Sequence, residues 1–437
     1  MNDRQPFRKA RIELPNGLVV IAVERRKLPI VHARLLVKVG SAFDEPHLAG
    51  ISSLTAELLD EGTSKRSGLE VAEAIEFIGG RFSISSNPMT TDISLAILNK
   101  DLREGLDLLA EVVRDSAFRE EDFEREKSKI LSSLLRRKER PDQVAFDLLR
   151  EMVYGEHPLH RPVAGYEETV EKITRDDLLR FYKQYYTPKN AILVMAADLS
   201  VEEMIDAMKR TFGDWPASDS PLPFIPQAYP LEGKAVRIVD MEINQSYIQF
   251  GHVGITRTKG DYNAVRVMNY LLGGGGFVSR LLKSIRSNQG LAYSVYSAFL
   301  ESGLVEGLFT AGLQTKIEST SQALNTLLAA IDSMRSELVA EKELEDARLY
   351  FEGSLARSLE TYSQIADLIM NQEYYQLPEQ FWVNDVEEIK QLTREDILEA
   401  GKKYLSNDHF RVAIASKSDH LKLDVAGIEA SDISLNS

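Results

Sequence analysis

Seven histidines, His32, His47, His157, His160, His252, His409 and His420, are the side chains best able to bind a transition metal, and they are scattered along the 437 residues. Zinc held from one helix face needs two of them four residues apart, and no pair has that spacing. His157 and His160 come nearest, in the run EHPLHRP from Glu156 to Pro162. Pro158 between them opposes a helix, so the rings are not expected to converge on a metal. There are no cysteines. Disulfides and thiolate metal sites are thereby excluded, and the redox compartment cannot be read. The other suggestive run is GGGGFVSRLLKSIRSNQGLAYSVY, from Gly273 to Tyr296. Backbone N–H groups of a glycine run ahead of a helix can cradle phosphate. No G-K-[ST] follows and no acid stands at the spacing a dinucleotide fold needs, so Gly273, Gly274, Gly275 and Gly276 read as a tight connection between two helices. The second of these is expected over Phe277 to Arg286.

The elements that would position such residues are legible from periodicity. Ala10 to Val39 reads as strands, with Leu18 to Val23 and Val31 to Val39 rich in Val, Ile and Leu and Asn16-Gly17 as a turn. Leu48 to Thr63, LAGISSLTAELLDEGT, predicts an amphipathic helix with Leu48, Ile51, Leu54 and Leu58 buried and Gly62 as its stop. Ser67 is the expected N-cap of the next helix, closed by Gly79-Gly80. Strands follow at Arg81 to Ser86 and Thr91 to Leu98; the latter is the proposed open edge for an added peptide strand. Helices are expected over Leu102 to Asp115 and Glu120 to Arg140, with another from Pro141. A helix capped by Thr174 and Asp177, a strand over Ala191 to Ala196 and a helix over Val201 to Phe212 complete this half.

The second half repeats the first. TRDDLLRFYKQYY from Thr174 matches TREDILEAGKKYL from Thr393, and Tyr185 falls on Tyr404. The division is therefore an α+β protein of two tandem homologous domains, residues 1–213 and 234–437, joined by an extended linker over 214–233 (DWPASDSPLPFIPQAYPLEG). A composition of 43% hydrophobic and 27% charged residues suits this. The net charge of −15 argues against nucleic acid and anionic membrane as partners. No apolar run is long enough to span a bilayer. The N-terminal residues show no signal peptide, so cytoplasm is the default compartment, with periplasm the alternative if a signal was removed.

The helix from Leu48 resembles the one that carries H-x-x-E-H in the pitrilysin, insulysin and mitochondrial processing peptidase family, the inverzincins. There a Gly-Leu-Ala-like run precedes the motif and Gly-Thr follows it. Counting back from Gly62-Thr63 places the five motif positions on Ser53, Leu54, Thr55, Ala56 and Glu57. Both histidines and the general-base glutamate are absent. The third ligand that the resemblance implies, a Glu about 76 residues further on, falls on Ser133. Glu126 matches an acid that supports this ligand. Ser53, Ala56, Glu57 and Ser133 are thus degenerate zinc positions, and no metal is expected in this chain.

The same resemblance assigns Arg286 and Tyr293, seven residues apart in an R-x-x-x-G-L-A-Y-like motif, to substrate and transition-state contacts. The implied architecture is a clamshell in which this pair faces the zinc helix. Tyr can donate to a developing oxyanion and Arg can hold substrate backbone. In processing peptidase a glycine-rich loop of the non-catalytic subunit lies at the place of Gly273 to Gly276, which makes these glycines candidates for peptide contact. This chain lacks that loop's longer insertion. The implied function is a non-catalytic subunit of a heterodimeric zinc endopeptidase acting on unfolded peptides, with the zinc in a homologous H-x-x-E-H partner. The alternatives are a structural or assembly subunit, and a peptide-binding chamber formed by a homodimer.

Overall fold

Strand and helix signals in each half fold into one six-stranded mixed sheet with helices packed against it. The computed structural model describes residues 7–218 and 221–436. Residues 1–6, 219–220 and 437 lie outside the described residues, and with them the opening of the chain and two residues of the expected linker.

The first half runs β1 (Arg8–Glu13), β2 (Val19–Glu24), β3 (Ile30–Val37), α1 (Ile51–Leu58), α2 (Gly68–Phe77), β4 (Arg81–Ser86), β5 (Thr91–Leu98), α3 (Leu102–Arg114), α4 (Glu120–Lys138), α5 (Pro141–Tyr154), α6 (Glu167–Val170), α7 (Arg175–Tyr185), β6 (Ala191–Ala197) and α8 (Val201–Phe212). The second runs β7 (Lys234–Asp240), β8 (Gln245–Val253), α9 (Tyr262–Asn269), β9 (Ala292–Ser302), β10 (Val305–Lys316), α10 (Thr320–Ser336), α11 (Glu341–Ser358), α12 (Tyr362–Tyr374), α13 (Phe381–Gln391), α14 (Arg394–Tyr404), β11 (Phe410–Ser416) and β12 (Ile433–Asn436). The strand orders are β1-β2-β6-β3-β5-β4 and β12-β7-β11-β8-β10-β9. In both, an early strand lies parallel to the last long strand, β2 with β6 and β7 with β11. The repeat extends to side chains. Thr174 and Thr393 cap α7 and α14 with reciprocal bonds to Asp177 and Asp396. Arg175 and Arg394, next in sequence, each donate to a carbonyl of the loop ahead of α4 or α11, at Phe118 and Val339.

Two helices do not stay with their own half. The first compact unit runs to Leu134, resumes over Pro162–Ile225 and takes in Ala356–Trp382; the second gathers Leu135–Arg161, Pro226–Leu355 and Val383–Ser437. Helix α12 thus packs on β3 and β6, and α5 packs on β8 and β11. Arg34 of β3 meets Asp367 of α12 at 2.6 Å. Buried Arg411 of β11 donates to the Met152 carbonyl of α5 at 3.3 Å.

Three expectations change. The helix expected over Leu48 to Thr63 is only eight residues long. It begins after Gly50, whose φ of +104° is left-handed, and where an added Cβ would lie 2.7 Å from the Ala164 carbonyl. Strand β5 is not an edge: it pairs with β3 on one side and β4 on the other. The open edges of the first sheet are β1 and β4. The helix expected over Phe277 to Arg286 is a 3-10 turn, Gly276–Val278, followed by a π-helical turn, Leu282–Ser287. No helix among the described residues is long and apolar enough to cross a membrane.

Candidate functional site

Helix α1 carries the degenerate positions of the first unit. Its start is held from outside: Asp44 accepts the Gly50 N–H at 2.8 Å and the Ser52 N–H at 3.3 Å. Ile51, Leu54 and Leu58 face the first core. Ala56 is buried, Ser53 is half-buried and Glu57 is exposed. Ser133, on α4, is exposed as well. These positions offer two hydroxyls, a methyl group and one carboxylate, a set that does not fit the His and Glu ligands of a zinc centre. Among the described residues no three His, Cys, Asp or Glu side chains come together to hold a metal ion.

What occupies this region is an ion network. Glu126 of α4, buried, accepts from Lys129 Nζ at 2.6 Å and from Arg125 Nε at 3.1 Å. Arg125 also reaches Glu61 at 2.6 Å and Asp122 at 2.7 Å. Partial desolvation at the helix surface, then the neighbouring Glu126, raises the Glu57 carboxyl. Burial, with Glu61, Glu57 and Glu126 adding like charge, pushes Asp60 up to about 6. Arg125 and Lys129 thus hold Glu126 as their counter-ion. The sequence signal was present, since cations stand one residue before and three after Glu126.

In the second unit the structure brings Arg286 and Tyr293 together. The π-helical turn ends at Ser287, and Gly290, at φ +63°, reverses the chain so that the Leu291 N–H meets the Ile285 carbonyl at 2.9 Å. Ile285, Ala292 and Val295 anchor both arms in the second core. Arg286 Cζ then lies 4.8 Å from the Tyr293 ring centroid and 5.2 Å from that of Phe277. Tyr293 is 83% exposed and Phe277 74%. Tyr293 sits on β9, the outer strand of its sheet. Val295 pairs with Leu313 and Ala292 with Thr315, so Tyr293 and Ser294 together oppose Gln314 in a β-bulge. Bulges of this kind re-aim a side chain and bend a strand, and they recur beside functional sites. Among the described residues Arg286 has no ion-pair partner, whereas Arg280, six residues earlier, is clasped by Glu343 through two bonds of 3.0 and 2.8 Å. Two aromatic faces therefore hold an uncompensated guanidinium at the surface of an acidic chain.

The glycine run positions this cluster. A Cβ on Gly273 would meet Ser297 N at 2.4 Å, one on Gly274 the Asn269 Nδ2 at 2.8 Å, and one on Gly275 the Tyr270 carbonyl at 2.6 Å. Gly276 has a φ of +59° with open space around it. Asn269 and Ser297 exchange two hydrogen bonds that tie the turn to β9. Sequence reasoning missed Phe277. It reads as one apolar position of a helix, and only the interruption of that helix leaves its ring outside the core. His157 and His160 rest on backbone carbonyls, His157 on that of Pro226 at 2.9 Å and His160 on that of His157 at 2.9 Å.

The insulinase model of peptidase family M16 matches residues 19–167, and the model of the M16 inactive domain matches residues 172–350. A protein of Bacillus subtilis named as the uncharacterized zinc protease YmxG is 28% identical over 351 residues, 80% of this chain and 84% of that protein. A protein of Helicobacter pylori named as the non-peptidase homolog YmxG is 25% identical over 407 residues, 91% of each. The crystal structure of an M16 inactive domain from Pseudomonas fluorescens superposes with a TM-score of 0.90 at 26% identity, covering 95% of this chain and 99% of that one.

Proposed function

The chain belongs to peptidase family M16, and from that premise we propose that it is a non-catalytic member that completes the site of a zinc-binding homologue. The observation that carries this reading is the contrast between its two sets of candidate residues. Ser53, Ala56, Glu57 and Ser133 provide neither a metal site nor a general base. Tyr293 stands exposed, and half-buried Arg286 beside it has no acidic partner among the described residues. The phenol can donate to the oxyanion of a peptide bond under attack at the partner's metal. The guanidinium has its donors free for substrate carbonyls. The partner supplies H-x-x-E-H and the third Glu, and the substrate is an unfolded peptide. The non-peptidase name of the Helicobacter pylori relative supports the same assignment.

The test is to purify the chain alone, and again after co-expression with an H-x-x-E-H homologue from the same genome. Zinc content and cleavage of a long unstructured peptide are measured on both. The reading expects neither zinc nor cleavage from the chain alone, and a stable one-to-one complex faster than the homologue by itself. Stoichiometric zinc with chelator-sensitive cleavage by this chain alone would overturn it. So would a homologue that reaches full rate unaided.

A further inference from the structure

We infer that the first compact unit carries a second ligand site, independent of Arg286 and Tyr293, that takes an amino acid or very short peptide with an apolar side chain and both termini charged. A cavity of about 600 Å³ opens where β3 and β5 meet the start of α12. That size falls within the range of small-molecule sites. Its floor is apolar: Leu28, Ile30, Ala96 and the ring of Tyr362. Leu28, in the loop between β2 and β3, is 54% exposed. His32 and Ala96 are cross-strand partners, so an imidazole borders the methyl floor.

The walls are preformed. The Tyr362 hydroxyl lies 2.8 Å from the Arg25 carbonyl and 3.0 Å from that of Leu28, and accepts the Leu28 N–H at 2.9 Å and the Lys27 N–H at 3.3 Å. One phenol therefore ties the β2–β3 loop to α12, and a ligand need not order either.

The charges select the ligand. Lys27 and Glu360 both line the cavity, and they form no ion pair with each other or with any other described residue. Helix α12 begins there; a capping box between Thr361 and Gln364 uses the N–H groups of those two residues and leaves those of Tyr362 and Ser363 for a ligand. A carboxylate is favoured at that helix end and at Lys27. An ammonium is favoured at Glu360. An apolar monocarboxylate would leave Glu360 unmatched, and a neutral apolar molecule would leave both charges unmatched. A zwitterion whose apolar side chain covers Leu28 and Ala96 matches all three features.

Calorimetry on the full chain tests this with three probes: the dipeptide Leu-Phe, the same dipeptide acetylated and amidated, and hexanoate. Leu-Phe is expected to bind once per chain with a dissociation constant on the order of 0.1 mM. The capped dipeptide and hexanoate should bind about 10-fold more weakly or worse. Ala96→Trp, which fills the floor, should abolish binding. Lys27→Ala and Glu360→Gln, both on exposed side chains, should each weaken it about 3-fold or more with an unchanged melting temperature. Arg286→Ala should leave it unchanged, which separates this site from the proposed peptidase role. Equal affinity for the capped dipeptide or hexanoate, full affinity in Ala96→Trp or in both rim variants, or no binding at about 5 mM Leu-Phe would each overturn the proposal.

Discussion

The end of α1 with α4 in the first unit and the glycine run with β9 in the second are the two regions where chemistry was expected, and they have diverged in opposite ways. Glu126 is paired inside the chain: Lys129 and Arg125 hold the carboxylate that would otherwise be free to support a ligand. Arg286 has no such partner among the described residues, and its guanidinium rests on two exposed rings. A helix stripped of ligands relaxes into a structural ion network. The proposed role requires donors left open at the surface, because pairing them inside the chain would remove them from the substrate.

The sharpest way to break this comparison is to give the first region its ligands back. Ser53→His, Glu57→His and Ser133→Glu together place three donors at the motif positions, all on side chains that are exposed or half-buried. Zinc content by elemental analysis should rise from below about 0.1 to about 1 per chain if the scaffold is intact. A triple variant without zinc would mean that the helices have drifted as well as the residues.

Acid should separate the two units. His252, buried against Phe309, is pushed down to about 4 by desolvation, with its Nε2 accepting the Ser406 N–H. Its folded pKa lies below the unfolded value of about 6.5, so its contribution is complete above about 6.5 and is lost as pH falls towards 4, a loss of about 3 kcal/mol. Asp60 has the opposite sign. Its folded pKa of about 6 lies above the model-peptide value of 3.8, so its contribution is complete at low pH and lost as pH rises through 6. Hydrogen exchange should show β8 opening more readily at pH 4.5 than at pH 7, and Asp60→Asn should steady α1 at pH 7 by about 2 kcal/mol. An unchanged β8 at pH 4.5 would contradict the His252 assignment.

The glycines grade the second region. Gly273→Ala drives a methyl group into the β9 backbone and should cost roughly 2–3 kcal/mol. Gly276→Ala meets open space and should cost only about 1 kcal/mol, for its positive φ. Urea denaturation of both variants checks the order; a costlier Gly276→Ala would mean that the turn is held by conformation rather than by close packing.

Much of the fold was legible because its signals are local. The capping boxes at Ser67, Thr174, Ser200 and Thr393 each need only four residues, and the repeat reproduces α7 in α14 with the same length. What could not be read depends on distant partners. Thr91 to Leu98 has the alternation of a strand covered on one face whether or not β4 flanks it. The periodicity of α5 and α12 is the same whichever sheet they cover. The Arg286–Tyr293 pair was visible through a motif, but Phe277 was not, because its exposure follows from the broken helix at Gly276.

The most direct test of the central claim is the peptidase rate of the one-to-one complex with an active homologue when only Tyr293→Phe is introduced in this chain. The substitution removes one exposed hydroxyl and leaves the ring beside Arg286. Loss of an oxyanion donor predicts a fall in kcat of about 100-fold with little change in KM. An unchanged rate in a complex of unchanged stability would contradict the account and leave the chain a structural partner only.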